Sequence, residues 1–201
     1  MARSGSPLVE TLVIFAVVFV LQWIAALFSV GLMAGLFVLA PPLEANPWTI
    51  VTSVYAHENL GHLLSNSAAL VLFGWPVARA TTHLRFHAFF LATGAIAGIT
   101  QVVGTGIVGV ATPVLGASGA VFALMGYLLA GNRLSDGLAS RVQVSPWVAL
   151  GVFVVLAALI TLATAAPRVA LLAHFTGFLL GLVAGRVGVL DVPSHVRRRS
   201  V

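Results

Sequence analysis

Long apolar runs, broken only by short polar or glycine- and proline-rich stretches, fill almost the whole chain. Crossing ~30 Å of hydrocarbon takes about 20 mostly apolar residues. Runs of that kind fall at 8–30, 57–77, 86–103, 116–130, 146–164 and 168–187, and each predicts a membrane helix. The first is too long for a signal-peptide core and lacks a small-x-small cleavage site, so no cleavable leader is expected. Gly31 and Gly35 interrupt an apolar stretch that would otherwise exceed one span. Residues 31–56, with Pro41, Pro42, Glu44, Pro47 and Trp48, are then a long connection apolar enough to lie at the membrane interface. Arg79, His83, Arg85 and His87 mark the next turn. Gly104, Gly106, Gly109 and Pro113 mark a flexible link, and 132–143 a polar loop with Arg133, Asp136 and Arg141.

Composition removes the soluble alternative. The 201 residues are 60% hydrophobic and 7% charged, against roughly 25% charged in soluble chains. One all-α membrane domain over 1–201 is expected, with short tails at 1–7 and 189–201. Without cysteine there are no disulfides, thiolate nucleophiles or Cys-ligated metals. The net charge of +5 does not indicate nucleic acid, because the arginines are scattered between apolar segments with no basic and aromatic face.

Those arginines orient the chain. With the N-terminus inside, the inner segments hold Arg3, Arg79, Arg85, Arg133, Arg141, Arg186, Arg197, Arg198 and Arg199, and the outer segments hold only Arg168. This positive-inside bias requires an even number of spans, and six satisfies it. The second, fourth and sixth spans then all run from outside to inside. At ~1.5 Å per residue, His62, Ser118 and His174 lie at a shared depth, on the order of 10 Å below the outer surface.

Polar groups at that depth are costly and point to function. A lone membrane serine usually bonds back to its own helix. Ser118 differs in starting a helix between Gly116 and Gly119, where free N–H groups favour negative charge. A serine nucleophile needs a base, and His174 is the candidate; its alternative is a histidine that packs between helices. His62 and Asn66, four apart, share a helix face. They can donate together to an oxyanion or simply bond between helices. His57 lies about 140° around from His62 by the helical repeat and is read as a mouth or packing residue. The stretch from His57 to His62 has one residue too many for the HExxH zinc motif, so no metal or other cofactor is expected. Gly119, Ala123, Gly126 and Ala130 form a small-residue stripe, as do Gly177, Gly181 and Gly185, which predicts close approach of the fourth and sixth spans. Gly94 and Gly98 are a smaller, structural pair.

These residues resemble the rhomboid family of intramembrane serine proteases. Gly116-Ala117-Ser118-Gly119 matches its G-x-S-G motif. His57, His62 and Asn66 match its H-x4-H-x3-N pattern, and His174 followed by Gly177 and Gly181 matches its last-helix histidine. The resemblance covers nearly the whole chain. It implies a six-helix rhomboid-like bundle and a Ser118–His174 dyad without an aspartate. It also implies an oxyanion hole of the Ser118 N–H, His62 and Asn66, and Phe122 packed on His174 where a tyrosine often stands. His57, Gly116 and Gly119 would flank the site. A cavity open to the outside, lined by His57, Asn66 and His174, would bring water to Ser118. The implied partners are the lipid bilayer and single-span membrane proteins, cut near the outer end of the span and admitted by movement of the fifth helix. The chain would lie in the cell membrane with both termini cytoplasmic. The alternatives are a catalytically inactive relative that escorts membrane proteins, a channel or transporter with His174 and Asn66 on a polar path, and a haem protein with paired histidines.

Overall fold

A computed structural model describes residues 5–131, 145–165 and 169–191. The expected polar loop at 132–143, Arg168 and most of both tails lie outside the described residues. Among those described, the regular structure is all helix apart from one isolated bridge between Leu39 and Val114. The helices are α1 (Pro7–Phe28), α2 (Val30–Phe37), α3 (Thr49–Tyr55), α4 (Leu60–Ala80), α5 (His83–Val108), α6 (Ser118–Ala130), α7 (Pro146–Ala163) and α8 (Leu171–Val187). Four of them, α1, α4, α5 and α7, are long and apolar enough to cross a bilayer, while α6 and α8 are shorter apolar helices. The chain is an all-α membrane protein, and each predicted span has its helix.

Several boundaries differ from the expected ones for local reasons. The break after the first span is at Ser29, not at the glycines. Ser29 takes an extended backbone and its hydroxyl accepts the Leu32 N–H at 2.9 Å, so α2 starts anew and contains Gly31 and Gly35. The 31–56 connection therefore holds two short helices. They are tied by the Trp48 indole N–H to Gly35 O (2.9 Å) and the Thr52 hydroxyl to Leu36 O (2.6 Å). Both bonds satisfy carbonyls in the last turn of α2, which have no partner within their own helix. The second span starts at Leu60 because the Asn59 side chain caps it, accepting the His62 N–H at 2.9 Å. The third span runs past 103 to Val108, through Gly104 and Gly106. Glycine weakens a helix by about 1 kcal/mol, but a Cβ at Gly104 would meet the Leu172 side chain at 2.8 Å. Contact with α8 explains the glycine and holds the helix there.

α1 turns Leu8, Thr11, Phe15, Gln22 and Ala25 inward and leaves Val13, Val17, Val20 and Leu27 exposed. That single inward stripe is the pattern of a helix packed on one side. Phe15, Leu70, Phe86, Phe90 and Leu124 fill the main core between α1, α4, α5 and α6. Gly94 makes room for Val54 of α3, and Gly98 for Leu39. α7 packs chiefly on α8 and exposes Trp147, Val148, Val155, Leu159 and Leu162.

The most extensive contact joins α6 to α8, along the two small-residue stripes. A Cβ at Gly177 would come within 2.1 Å of Gly119 O, one at Gly181 within 2.1 Å of Ala123 O, and one at Gly185 within 2.5 Å of Tyr127 O. At the end remote from Ser118, polar contacts fasten the bundle. Glu10 of α1 meets His83 (3.3 Å) and His87 (2.8 Å) of α5. The Tyr127 hydroxyl donates to the Asp191 carboxylate at 3.0 Å, and the Arg85 guanidinium donates to Asp191 O.

Gly181→Ala should lower stability by at least about 1–3 kcal/mol, the usual cost of overpacking, because its Cβ meets backbone that cannot rotate away. Gly151→Ala on α7, with nothing within 4 Å of the new Cβ, should be neutral. Thermal unfolding of both variants in detergent checks the contrast.

Candidate active site

Ser118 is the first residue of α6. The first ladder bond of that helix runs from Val121 N–H to Ala117 O at 3.0 Å. The amides of Ser118, Gly119 and Ala120 therefore precede the ladder and are available as donors. The loop before Ser118 is held from two sides. Leu39 and Val114 exchange two backbone bonds of 2.9 Å, and Gly116 N–H donates to Ser53 O at 2.9 Å. Gly116 has a φ of +135°, a region that favours glycine, and a Cβ there would meet the His62 ring at 2.7 Å. The ring of His62 thus lies directly against the loop that presents the serine.

The Nδ1 of His62 faces the Glu58 N–H in a long contact of 3.5 Å. With Nδ1 as acceptor, the neutral ring is assigned its proton on Nε2. Asn66 is buried, four residues on, and donates to His62 O at 3.1 Å, which leaves its amide a second N–H. His174 comes from the first turn of α8, where its N–H makes the first ladder bond, to Ala170 O at 3.0 Å. Its ring stacks on Phe122 with centroids 4.1 Å apart and planes at 19°. Its Nδ1 is buried, so Nε2 is the nitrogen available to chemistry.

Ser118, His62, Asn66, Phe122 and His174 all line one cavity of about 1000 Å³. No hydrogen bond joins Ser118 to His174 among the described contacts. Such bonds are often long or unformed before substrate binds. His57, Gly116 and Gly119 are not among the residues that line the cavity. His57 does not line the cavity as expected. It is 1% exposed, packed between Phe15 (ring centroids 4.7 Å) and His62 (5.3 Å), with its N–H donating to Gln22 Oε1 at 2.9 Å. Gly119 lies between α5 and α8, where a Cβ would meet Ala97 Cβ at 2.6 Å. No group of three or more His, Asp or Glu residues among those described is placed to hold a metal ion.

Gln101, Glu58, Asn59 and Ser65 also line the cavity and were not singled out from the sequence. Gln22 and Gln101 carried a usable signal, since an amide inside an apolar span is costly. Glu58 and Asn59 lie in a turn, where polar residues are unremarked.

The Rhomboid domain family model matches residues 44–190, which is most of the chain and includes Ser118, His174, His62 and Asn66. The chain belongs to the rhomboid family.

Gly116→Ala should cost about 1–3 kcal/mol, the scale for forcing a side chain into a sparsely populated backbone region, and should displace the His62 ring. Thermal unfolding measures the first effect. An alanine variant as stable as the parent would show that the loop relaxes without strain.

Proposed function

We propose that this rhomboid-family membrane protein is an intramembrane serine endopeptidase that uses Ser118 as nucleophile and His174 as base. The observation that carries this reading is the convergence of Ser118, His174, His62 and Asn66, from three separate helices, on one cavity. The bundle places them at one end, opposite the polar contacts of Glu10, Arg85 and Asp191.

In the proposed reaction the Ser118 hydroxyl oxygen attacks the scissile carbonyl carbon while His174 Nε2 takes its proton. Negative charge then develops on the carbonyl oxygen, within reach of the Ser118 N–H at the start of α6 and of His62 and Asn66. Donors already fixed for that charge need no reorganisation, which makes them effective in a site shielded from bulk water. Collapse breaks the C–N bond, and His174 returns the proton to the leaving amine. A water then attacks the acyl-enzyme with His174 again as base, and Ser118 is released. Among the described residues no carboxylate is hydrogen-bonded to His174 Nδ1, and on this reading the Phe122 stack orients the ring.

The substrates on this reading are transmembrane segments of other proteins. A helix hides each scissile carbonyl in an i to i−4 bond, so cleavage needs local unwinding, and glycine or proline near the cut favours it. On this reading α7, which packs chiefly on α8 alone, is the element that moves to admit a substrate. Arg79, Arg85 and Arg186 sit at helix ends away from the cavity. The positive-inside rule then supports cytoplasmic termini and an outward-opening site in a multi-pass protein of the cell membrane.

Labelling by a fluorophosphonate, with cleavage of a single-span substrate in proteoliposomes, tests the proposal. Both activities should be present in the parent and lost in Ser118→Ala and His174→Ala. His62→Ala and Asn66→Ala should label more slowly and cleave on the order of 100- to 1000-fold more slowly, the range for loss of an oxyanion donor. Folded parent protein that neither labels nor cleaves would favour the inactive, escorting relative.

A further inference from the structure

α8 begins without a cap of its own. The residue at its N-cap position is Ala170, whose side chain cannot accept a hydrogen bond. The ladder starts with the His174 N–H, so the amide of Ala173 is the last one outside it. Ala173 is buried, and an unpaired N–H there would have neither water nor helix to satisfy it. Its partner comes from 72 residues away. Gln101 of α5 accepts the Ala173 N–H through its side-chain Oε1 at 3.2 Å.

Gln101 is itself 5% exposed and lines the cavity. Its backbone is braced by the Thr105 hydroxyl, which donates to Gln101 O at 2.7 Å and accepts the Thr112 N–H at 2.9 Å. The approach of Gly104 to Leu172 presses α5 against the same turn of α8. One amide thus connects α5, the cavity wall at Thr112 and the residue immediately before His174.

We infer that Gln101 is a positioning residue for His174, acting through the first turn of α8. The inference rests on the reading of Ser118 and His174 as nucleophile and base. First turns fray unless their free amides find acceptors. A frayed Ala173 carries the His174 ring off Phe122 and away from Ser118. Displacement of a reacting group by about 1 Å can cost on the order of 100-fold in rate. Gln101 touches no reacting atom in this account, and its contribution is to the placement of the base.

The test compares the full-length parent, Gln101→Leu and Gln101→Glu in proteoliposomes. Leucine removes the acceptor, and glutamate keeps an oxygen at the same reach. Hydrogen–deuterium exchange is read over residues 169–176, and kcat and KM with a single-span substrate. In Gln101→Leu, exchange there should speed up about tenfold or more, as expected for a buried amide without its partner. Its kcat should fall on the order of 10- to 100-fold with KM nearly unchanged, the signature of an interaction that serves the chemical step and not binding. Gln101→Glu should restore slow exchange and most of kcat. A purely structural residue would lower the melting temperature without this split or this rescue.

Unchanged exchange in Gln101→Leu would overturn the inference whatever the activity. Faster exchange with parental kcat would overturn it as a matter of catalysis. A parent that neither labels nor cleaves would refute the protease reading and the catalytic half of this inference. The exchange result would still decide whether Gln101 holds the turn.

Discussion

The carbonyl oxygens of Gly119 and Ala123 occupy the space that a Cβ at Gly177 or Gly181 would need. α6 and α8 therefore meet backbone to backbone. In lipid no hydrophobic drive holds two apolar helices together, so contact of this closeness must come from shape and dispersion. The nucleophile candidate starts one of these helices and the base candidate sits in the first turn of the other. Their separation is set by main chain and not by flexible side chains. The other parts of the site, the His62 ring on Gly116 and the Phe122 ring on His174, are arranged around that seam.

A second constraint follows from the membrane. Irregular backbone at depth must find its hydrogen bonds inside the protein. Here the partners come from far along the chain. Gln22 receives the His57 N–H, Ser53 O receives the Gly116 N–H, and Gln101 receives the Ala173 N–H. Each of these bonds ends beside a residue of the candidate site or the turn that carries it. The energetic need to satisfy buried amides and the need to place reactive groups are met by the same contacts.

This division explains what could be read from sequence. The helices and the two glycine stripes follow from composition and helical repeat, and the grouping of His62, Ser118 and His174 from their similar distances along their helices. Those are local or one-dimensional quantities. The break at Ser29 was missed because its signal, a serine hydroxyl reaching its own helix, was outweighed by the glycines that follow. The helical 31–56 connection was missed because Trp48 and Thr52 stabilise it through carbonyls of another element. His57 reads from sequence as a mouth or packing residue; it precedes the helix, and packing between Phe15 and His62 is what the fold gives it, away from the cavity lining. Gln101 was overlooked because its partner is an alanine amide, which leaves no trace in a side-chain pattern.

The seam also settles where water can stop. Below Ser118, the Ala123–Gly181 and Tyr127–Gly185 contacts leave no room for a methyl group, still less for a file of water molecules. Phe178, Leu182 and Leu124 seal the flanks with fully buried apolar side chains. Among the described residues, the α6–α8 seam thus offers no path for water past this point. A seam of this closeness lets a polar cavity begin at one end of two helices without continuing between them.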